Sequence, residues 1–218
     1  MVFKLYGMGV STCTQKVVMA LKEKSIPFDF ININVLKGEQ KSPENLARHP
    51  FGKIPILEDE DGFRIFESLA IVRYIENLEP NKGARLIPAD IKTAALVEQW
   101  VSSSVYNFYP SAQGIITERA IKPVAGRPTD EAAAVEHRKK LVPVLDVYDK
   151  QLAGHDFFVG NDFTLADLSH LPYFNVINRV EGDLIKERPN LAAWFERCTA
   201  KSTWLEVMGF VQGAPKCH

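Results

Sequence analysis

The sequence is poor in cysteine, in long apolar runs and in net charge, and each shortage excludes a class of protein. Its three cysteines, Cys13, Cys198 and Cys217, are too few and too far apart in the chain to indicate a disulfide framework or a metal site. No apolar run approaches the roughly 20 residues that span a bilayer. A formal net charge of -1 gives no electrostatic reason to expect nucleic acid or an anionic membrane as partner. We therefore expect a soluble cytoplasmic protein without a bound metal.

The first part of the chain predicts a small α/β domain, because short apolar runs alternate there with helical patterns. Strands are predicted over 2–7, 28–33, 53–58 and 63–67, and helices over 15–24, 43–48 and from 68 onward. The sequence DEDG at 59–62 separates the last two strands and is a strong hairpin signal. The order βαβ, α, ββ, α predicts a domain over residues 1–81.

The second part of the chain predicts an all-helical domain. Residues 79–90 are rich in turn-forming residues and read as a linker, after which no convincing strand pattern occurs. Helices are predicted over 90–114, 129–152, 164–180 and 189–201, which gives a helical domain over residues 90–218. Thr164 and Asp167 have the spacing of a capping box, so we favour a structural role for Asp167 over a functional acid.

Four polar side chains, Ser11, Thr12, Cys13 and Thr14, stand together before the first amphipathic pattern. Hydroxyls at a helix N-terminus cap the helix or bind an anion, and a thiol there becomes more acidic. Cys13 shares a helical stripe with the apolar Val17, so we favour a buried, inert cysteine. The alternative is an accessible thiol that attacks disulfides.

Five segments stand in an order and spacing typical of one enzyme family: STCTQKV, LKGEQK, HPFGKIPIL, FESLAIVRYI and FTLADLSHLPY. They resemble the glutathione S-transferases, and most closely the phi class or its fungal phi-like relatives. The resemblance covers nearly the whole chain and is weakest over 115–160 and the C-terminal tail. It implies a thioredoxin-like α/β N-terminal domain, an all-α C-terminal domain, a homodimer, and glutathione as co-substrate.

The resemblance implies a role for each matching position. Ser11 takes the place of the hydroxyl that stabilises the glutathione thiolate, with Thr12 as a helper. The implied glutathione-binding residues are Gln40, Lys41, Lys53, Ile54, Pro55, Glu67 and Ser68. Two of these depart from the family, in which histidine is frequent at position 40 and glutamine at position 53. Lys53 thereby adds a second cation for the ligand's carboxylate.

Within this set, each group of the glutathione peptide has an expected partner. Glu67 holds the γ-glutamyl ammonium, and Ser68 with the helix N-terminus holds the adjacent carboxylate. Gln40 and Lys41 hold the glycyl carboxylate. Ile54, before a cis-proline, pairs with the cysteinyl part like an added strand.

Two further sets follow from the same resemblance. The apolar acceptor pocket is expected to be lined by Met8, Val10, Leu36, Phe108 and Tyr109, although an aromatic cluster more often belongs to a core. Phe51 matches an aromatic that inserts into the partner subunit, and its alternative is packing within its own domain.

The expected activity is conjugation of glutathione to hydrophobic electrophiles, with some reduction of organic hydroperoxides. Two alternatives stay open. One is a thiol transferase that depends on Cys13. The other is a non-catalytic carrier of hydrophobic ligands, a ligandin.

Overall fold

The computed structural model describes residues 2–213, which divide into two compact units. The sheet unit contains the residues up to Arg85 together with the described residues from Lys201 onward, and the helical unit contains Leu86–Ala200. None of the helices within this described range is long and apolar enough to cross a membrane.

The sheet unit has the element order that the sequence predicts. Its elements are β1 (Phe3–Gly7), α1 (Thr12–Glu23), β2 (Phe28–Asn32), two 3-10 turns (Val35–Lys37 and Glu39–Lys41), α2 (Pro43–Arg48), β3 (Ile56–Glu58), β4 (Arg64–Phe66) and α3 (Ser68–Leu78). The sheet order is β2-β1-β3-β4, with β1 parallel to β2 and antiparallel to β3, and β3 antiparallel to β4. This is the thioredoxin-like arrangement that was expected.

Helix α1 is buried on nearly all sides, because it contacts both α3 and a further helix, α11 (Ser202–Gly213). Just after its end, Lys24 forms a 2.6 Å ion pair with Glu76 of α3, and both side chains are almost completely buried. Breaking such a pair on one side is strongly destabilising, since it leaves a buried charge uncompensated. The pair therefore fixes α1 to α3.

Helix α11 was not predicted as an element of this unit. The predicted division placed all of residues 90–218 in the helical domain, whereas residues 201–213 belong with the sheet unit. Phe210 packs edge-on against Phe30 of β2, with ring centroids 4.8 Å apart. We predicted no helix after residue 201, and the contacts of α11 are with residues at the other end of the chain.

The helical unit contains α4 (Ile91–Ser103), α5 (Tyr109–Ile116), α6 (Lys122–Val124), α7 (Glu131–Gln151), α8 (Leu165–Val180), α9 (Asp183–Lys186) and α10 (Pro189–Thr199). Two π-helical turns, Ser104–Phe108 and Thr117–Ile121, connect α4, α5 and α6 into one continuous run. We predicted that this helix ends at Gly114, which was wrong. A Cβ at Gly114 would lie 2.4 Å from the His137 ring, so this glycine serves the close approach of α7.

The start of α8 confirms the predicted capping box. Thr164 accepts from the N–H of Ala166 at 3.3 Å, and Asp167 accepts from the N–H of Thr164 at 2.9 Å. The fully buried Asp167 also accepts from the backbone of Phe158 at 3.0 Å and from the indole of Trp194 at 2.8 Å. Asp167 is therefore a structural acid that joins α8 to α10.

Candidate functional site

The topology brings most of the predicted site to one edge of the sheet. Strands β1 and β2 end there, with Gly7 opposite Asn32. Tyr6 pairs with Ile56, and Ile56 pairs with Phe66, so β3 begins and β4 ends at the same edge. The segments that follow β1 and β4 and precede β3 carry Ser11, Thr12, Ile54, Pro55, Glu67 and Ser68. These predicted residues thus share one edge.

Ser11 is the N-cap of α1. Its backbone is extended (φ -72°, ψ 124°), and its hydroxyl oxygen accepts from the N–H of Thr14 at 3.4 Å. The turn before it is closed by a bond from the Ser11 N–H to the Met8 carbonyl at 2.9 Å. Ser11 and Thr12 are half-buried, while Thr14 is buried and accepts from the N–H of Met8 at 3.4 Å. Thr14 therefore belongs to the scaffold, and Ser11 and Thr12 remain accessible.

Glu67 and Ser68 form the start of α3. Glu67 has φ 68°, a region that non-glycine residues rarely occupy, and its side chain makes no capping bond to the helix. Its carboxylate is exposed, whereas Ser68 is buried. Backbone strain of this kind persists only where the surrounding structure holds it, and it is frequent at binding sites.

The turn before β3 has the predicted cis peptide bond between Ile54 and Pro55. Pro55 is buried and Ile54 is half-buried. The main chain here lies beside the ends of β1 and β4, which follows from the register of β3 with both strands.

Gln40, Lys41 and Lys53 lie on two segments that are joined to each other. The side-chain amide of Asn45 in α2 donates to the carbonyl of Gln40 at 2.9 Å and to that of Lys53 at 3.3 Å. Lys41 donates from Nζ to the carbonyl of Phe51 at 2.9 Å. Both lysines are exposed. The two cations therefore stand on backbone that is held together by side-chain bonds.

Gly52 lies between these segments and requires a glycine. Its φ is +56°, and a Cβ there would stand 2.8 Å from Cδ of Lys41 and 3.0 Å from the carbonyl oxygen of Gln40. The turn that precedes Lys53 thus approaches the Gln40–Lys41 segment as closely as the atoms allow.

His49 lies beneath this region and is 1% exposed. Its ring stacks on Phe66 with centroids 4.3 Å apart, and its Nδ1 has no hydrogen-bond partner among the described residues. Burial lowers the pKa of His49 below its ordinary 6.5; the Glu67 carboxylate opposes this, and the charges of Lys53 and Lys41 add to it. His49 therefore lies within electrostatic reach of both cations and of Glu67.

Cys13 is less buried than the favoured interpretation, a buried inert cysteine, predicts. It is half-buried, although Val17 on the same stripe is completely buried. Cys13 is the second residue of α1, and the buried residues of this helix begin only at Thr14.

The residues predicted to line an apolar pocket fall in both units. In the sheet unit, Val10 and Leu36 are exposed and Met8 is half-buried. In the helical unit, Phe108 is completely buried and stacks on Phe174, with centroids 4.8 Å apart. Tyr109 is half-buried and donates to the Ser169 carbonyl at 2.9 Å. This placement of Phe108 favours its core alternative.

Phe51, the predicted intersubunit aromatic, is 64% exposed. Its ring contacts His49 and Phe66 edge-on, with centroids 6.1 and 6.4 Å away. Within residues 2–213, no group of three or more His, Cys, Asp and Glu side chains is arranged to hold a metal ion.

Sequence reasoning missed Asn45 and His49. Asn45 lies in the short helix α2, and His49 is the residue that caps its C-terminus, where its backbone N–H donates to the carbonyl of Asn45. Two polar residues in and directly after a six-residue helix are an available signal. Their inward direction, however, depends on the loops that α2 packs against.

The fold and the sheet-edge site define a thioredoxin-like domain followed by a helical domain. The family model described as "Glutathione S-transferase, N-terminal domain" matches residues 10–78, and "Glutathione S-transferase, C-terminal domain" matches 108–201. The chain therefore belongs to the glutathione S-transferase family. The protein is therefore a glutathione transferase, and glutathione is the family's co-substrate.

Similar proteins place the chain in the phi class. "Glutathione S-transferase F10" of Arabidopsis thaliana is 36% identical over 209 residues, 95% of this chain and 96% of that protein. Glutathione transferase F7 from Populus trichocarpa superposes with a TM-score of 0.92 at 33% identity, covering 96% of this chain and 99% of that one. Glutathione S-transferase I from mais, solved in complex with an atrazine glutathione conjugate, superposes with a TM-score of 0.86 at 28% identity, covering 97% and 98%.

Proposed function

We propose that this protein conjugates glutathione to hydrophobic electrophiles and that Ser11 stabilises the attacking thiolate. The observation that carries the proposal is the place of the Ser11 hydroxyl. It lies at the N-terminus of α1, on the sheet edge that also holds Pro55 and Glu67. The hydroxyl oxygen accepts from Thr14, and its own hydrogen is left to donate to a thiolate.

The energetic demand on this hydroxyl is modest. A thiol with a pKa near 8.5 is only about 3% ionised at pH 7, and a pKa of about 6.5 makes it roughly three-quarters ionised. That change corresponds to ~2.7 kcal/mol. One hydrogen bond to a charged group supplies about 1.5–3 kcal/mol, and a helix N-terminus roughly 0.3–2. A neutral hydroxyl on a helix cap therefore suffices without a general base.

The rest of the peptide has a partner for each charge. The exposed carboxylate of Glu67 faces the γ-glutamyl ammonium, and Ser68 with the N-terminus of α3 accommodates the adjacent carboxylate. Gln40, Lys41 and Lys53 receive the glycyl carboxylate. The main chain at Ile54 pairs with the cysteinyl unit as an added strand.

The thiolate then attacks an electrophile held against apolar side chains. Met8, Val10 and Leu36 are the accessible apolar residues of the predicted set in the sheet unit. With a hydroperoxide, the thiolate attacks the O–O bond, which yields glutathione sulfenic acid and an alcohol once the alkoxide takes a proton. A second glutathione converts the sulfenic acid to the disulfide with loss of water.

The proposed assembly is a cytoplasmic homodimer. Its support is the exposure of Phe51, because a large aromatic that is mostly exposed is typical of an interface anchor. The proposed partners are therefore glutathione, the electrophile and a second copy of the chain.

The test compares Ser11→Ala with Cys13→Ala on an aryl halide and on a glutathione mixed disulfide. Loss of one charge-assisted hydrogen bond lowers kcat/KM for conjugation roughly 10- to 150-fold and raises the pKa of the bound thiol. Cys13→Ala should leave conjugation unchanged, and ultraviolet titration of the thiolate reports the pKa directly.

Three results would count against the proposal. Conjugation that is unaffected by Ser11→Ala removes the role of the hydroxyl. Mixed-disulfide reduction that is lost only with Cys13→Ala indicates a thiol transferase. Tight ligand binding without turnover of either substrate by the unmodified protein indicates a carrier.

A further inference from the structure

We propose that Asn45 is a positioning residue for the glycyl end of glutathione. It holds in one arrangement the two backbone segments that carry Lys41 and Lys53. The inference rests on the proposed function, because it assumes that these cations receive the glycyl carboxylate. Asn45 does not touch the ligand in this assignment; it acts through the main chain of its neighbours.

The Asn45 amide uses both of its hydrogens on main-chain carbonyls. Nδ2 donates to Gln40 at 2.9 Å and to Lys53 at 3.3 Å, and the side chain is 1% exposed. The two acceptors lie on opposite sides of α2 in the chain, one before the helix and one after the turn that follows it. A single buried amide therefore joins both segments.

The base of this side chain is itself fixed. The backbone N–H of Asn45 donates to the hydroxyl of Ser42 at 3.2 Å, and its carbonyl accepts from the N–H of His49 at 2.8 Å. An aspartate at this position has no hydrogen to donate, and serine has only one. The geometry thus requires a primary amide with a short side chain.

The two cations stand on segments that lie next to each other and close to His49. Lys41 Nζ reaches the carbonyl of Phe51, close in the chain to Lys53. The charges of both lysines lower the pKa of the same His49 ring, so both ammonium groups lie within electrostatic range of one point. Side chains as long as lysine supply charge, but their direction depends on the backbone that carries them. The amide of Asn45 sets that backbone.

The test measures Kd for glutathione and for glutathione amide, in which the glycyl carboxylate is a neutral amide of the same size. The unmodified protein should bind glutathione more tightly than the amide. Asn45→Ala should weaken glutathione binding roughly 5- to 20-fold, since it removes two hydrogen bonds between the segments. Binding of glutathione amide should change less than about twofold, and kcat at saturating glutathione should be retained.

Two further variants separate positioning from simple destabilisation. Asn45→Leu has nearly the same size without the donors, and denaturant titration measures its folded fraction; per folded molecule it should show the same reduced ratio of the two Kd values. Ser42→Ala removes the cap of the same helix and one of the two backbone contacts of Asn45, but it keeps the backbone bond from His49 and both donors of the Asn45 amide. It should lower thermal stability while the ratio of the two Kd values stays near that of the unmodified protein.

Lys41→Ala distinguishes failure of the Asn45 role from failure of the glycyl-carboxylate assignment. It should reduce the Kd ratio directly. If Lys41→Ala reduces the ratio and both Asn45 variants keep it, the role of Asn45 is overturned while the glycyl site stands. If Lys41→Ala and Lys53→Ala also leave the ratio unchanged, the glycyl assignment fails and the inference falls with it.

Discussion

Two helix N-termini, those of α8 and α3, carry a hydroxyl residue and an acid but end up in opposite states. At α8, Thr164 and Asp167 satisfy the exposed N–H groups and bind two neighbouring segments. At α3, the acid Glu67 precedes the helix, makes no capping bond and has a positive φ. The N-terminus of α8 is therefore closed, since the protein's own side chains cap its N–H groups. The N-terminus of α3 is available, since no side chain caps its N–H groups.

The difference separates stability from binding. A closed N-terminus contributes hydrogen bonds to the folded state, whereas an unsatisfied one keeps its N–H groups for an anion. The sheet unit therefore gives up stability at α3, and Glu67 adds local strain. The helical unit loses no such stability at α8, because its N-terminus is capped. Burial raises the pKa of Asp167 there, against the lowering effect of its hydrogen bonds from Phe158, Thr164 and Trp194.

Opening the closed end should have the largest effect. Asp167→Ala leaves four donor groups without their acceptor, so we expect a loss of about 3–5 kcal/mol in the free energy of unfolding. Denaturant titration measures it, and kcat/KM per folded molecule should stay close to the original. The matched control is Asp90→Ala, which removes the exposed cap of α4 and should lower stability by about 1 kcal/mol. Equal losses for the two variants would contradict the structural role of Asp167.

Altering the available end should affect binding more than stability. Glu67→Gln removes the charge, and loss of one charge-assisted bond of about 1.5–3 kcal/mol raises Kd for glutathione roughly 10- to 150-fold. Glu67→Gly should weaken glutathione binding similarly. Its free energy of unfolding should be about 1 kcal/mol higher than that of Glu67→Gln, because glycine adopts the positive φ without strain. Calorimetric binding and denaturant titration give both quantities. If the two variants are equally stable, Glu67 is not strained.

The smallest effect concerns pH and His49, whose pKa responds both to Glu67 and to the two lysines. Its folded-state pKa is lowered, mainly by burial, so the unfolded chain binds the proton more readily. The stability from neutral His49 is complete above its ordinary pKa of 6.5 and is lost as the pH falls through the folded-state value. The unmodified protein should therefore lose more stability on acidification than His49→Phe.

The control for this titration is His155→Gln, since His155 is exposed. It should follow the unmodified protein. The His49 pKa also tests whether the N-terminus of α3 is electrostatically coupled to this ring, because Glu67 raises that pKa. Glu67→Gln should lower it further in a histidine titration by magnetic resonance. An unchanged His49 pKa would mean that the Glu67 carboxylate points away from the ring.

The sequence predicts local elements well where the cause is local. The helix Pro43–Arg48 and the capping box at Thr164 were predicted correctly, because each depends on residues close together in the chain. The predicted end of the first long helix at Gly114 was wrong, and the presence of a glycine there is explained by the ring of His137 on another helix. The partner of α11 was likewise out of reach of periodicity.

The site divides in the same way. The positions matched by family motifs reach one sheet edge through the strand register, which a βαβ-ββα order already implies. Asn45 was not predicted, because its acceptors are carbonyl groups whose direction no side-chain pattern encodes. Cys13 differed because exposure in the first turn of a helix depends on what covers that turn.

The two bonds of the Asn45 amide also have an entropic meaning. Segments that are tied together before a ligand arrives lose little conformational freedom when it binds, so more of the gross contact energy appears as affinity. The carbonyls of Gln40 and Lys53 are already held at 2.9 and 3.3 Å from one nitrogen. Binding at this end should therefore show a smaller unfavourable entropy than it does in a variant whose segments must be ordered by the ligand itself.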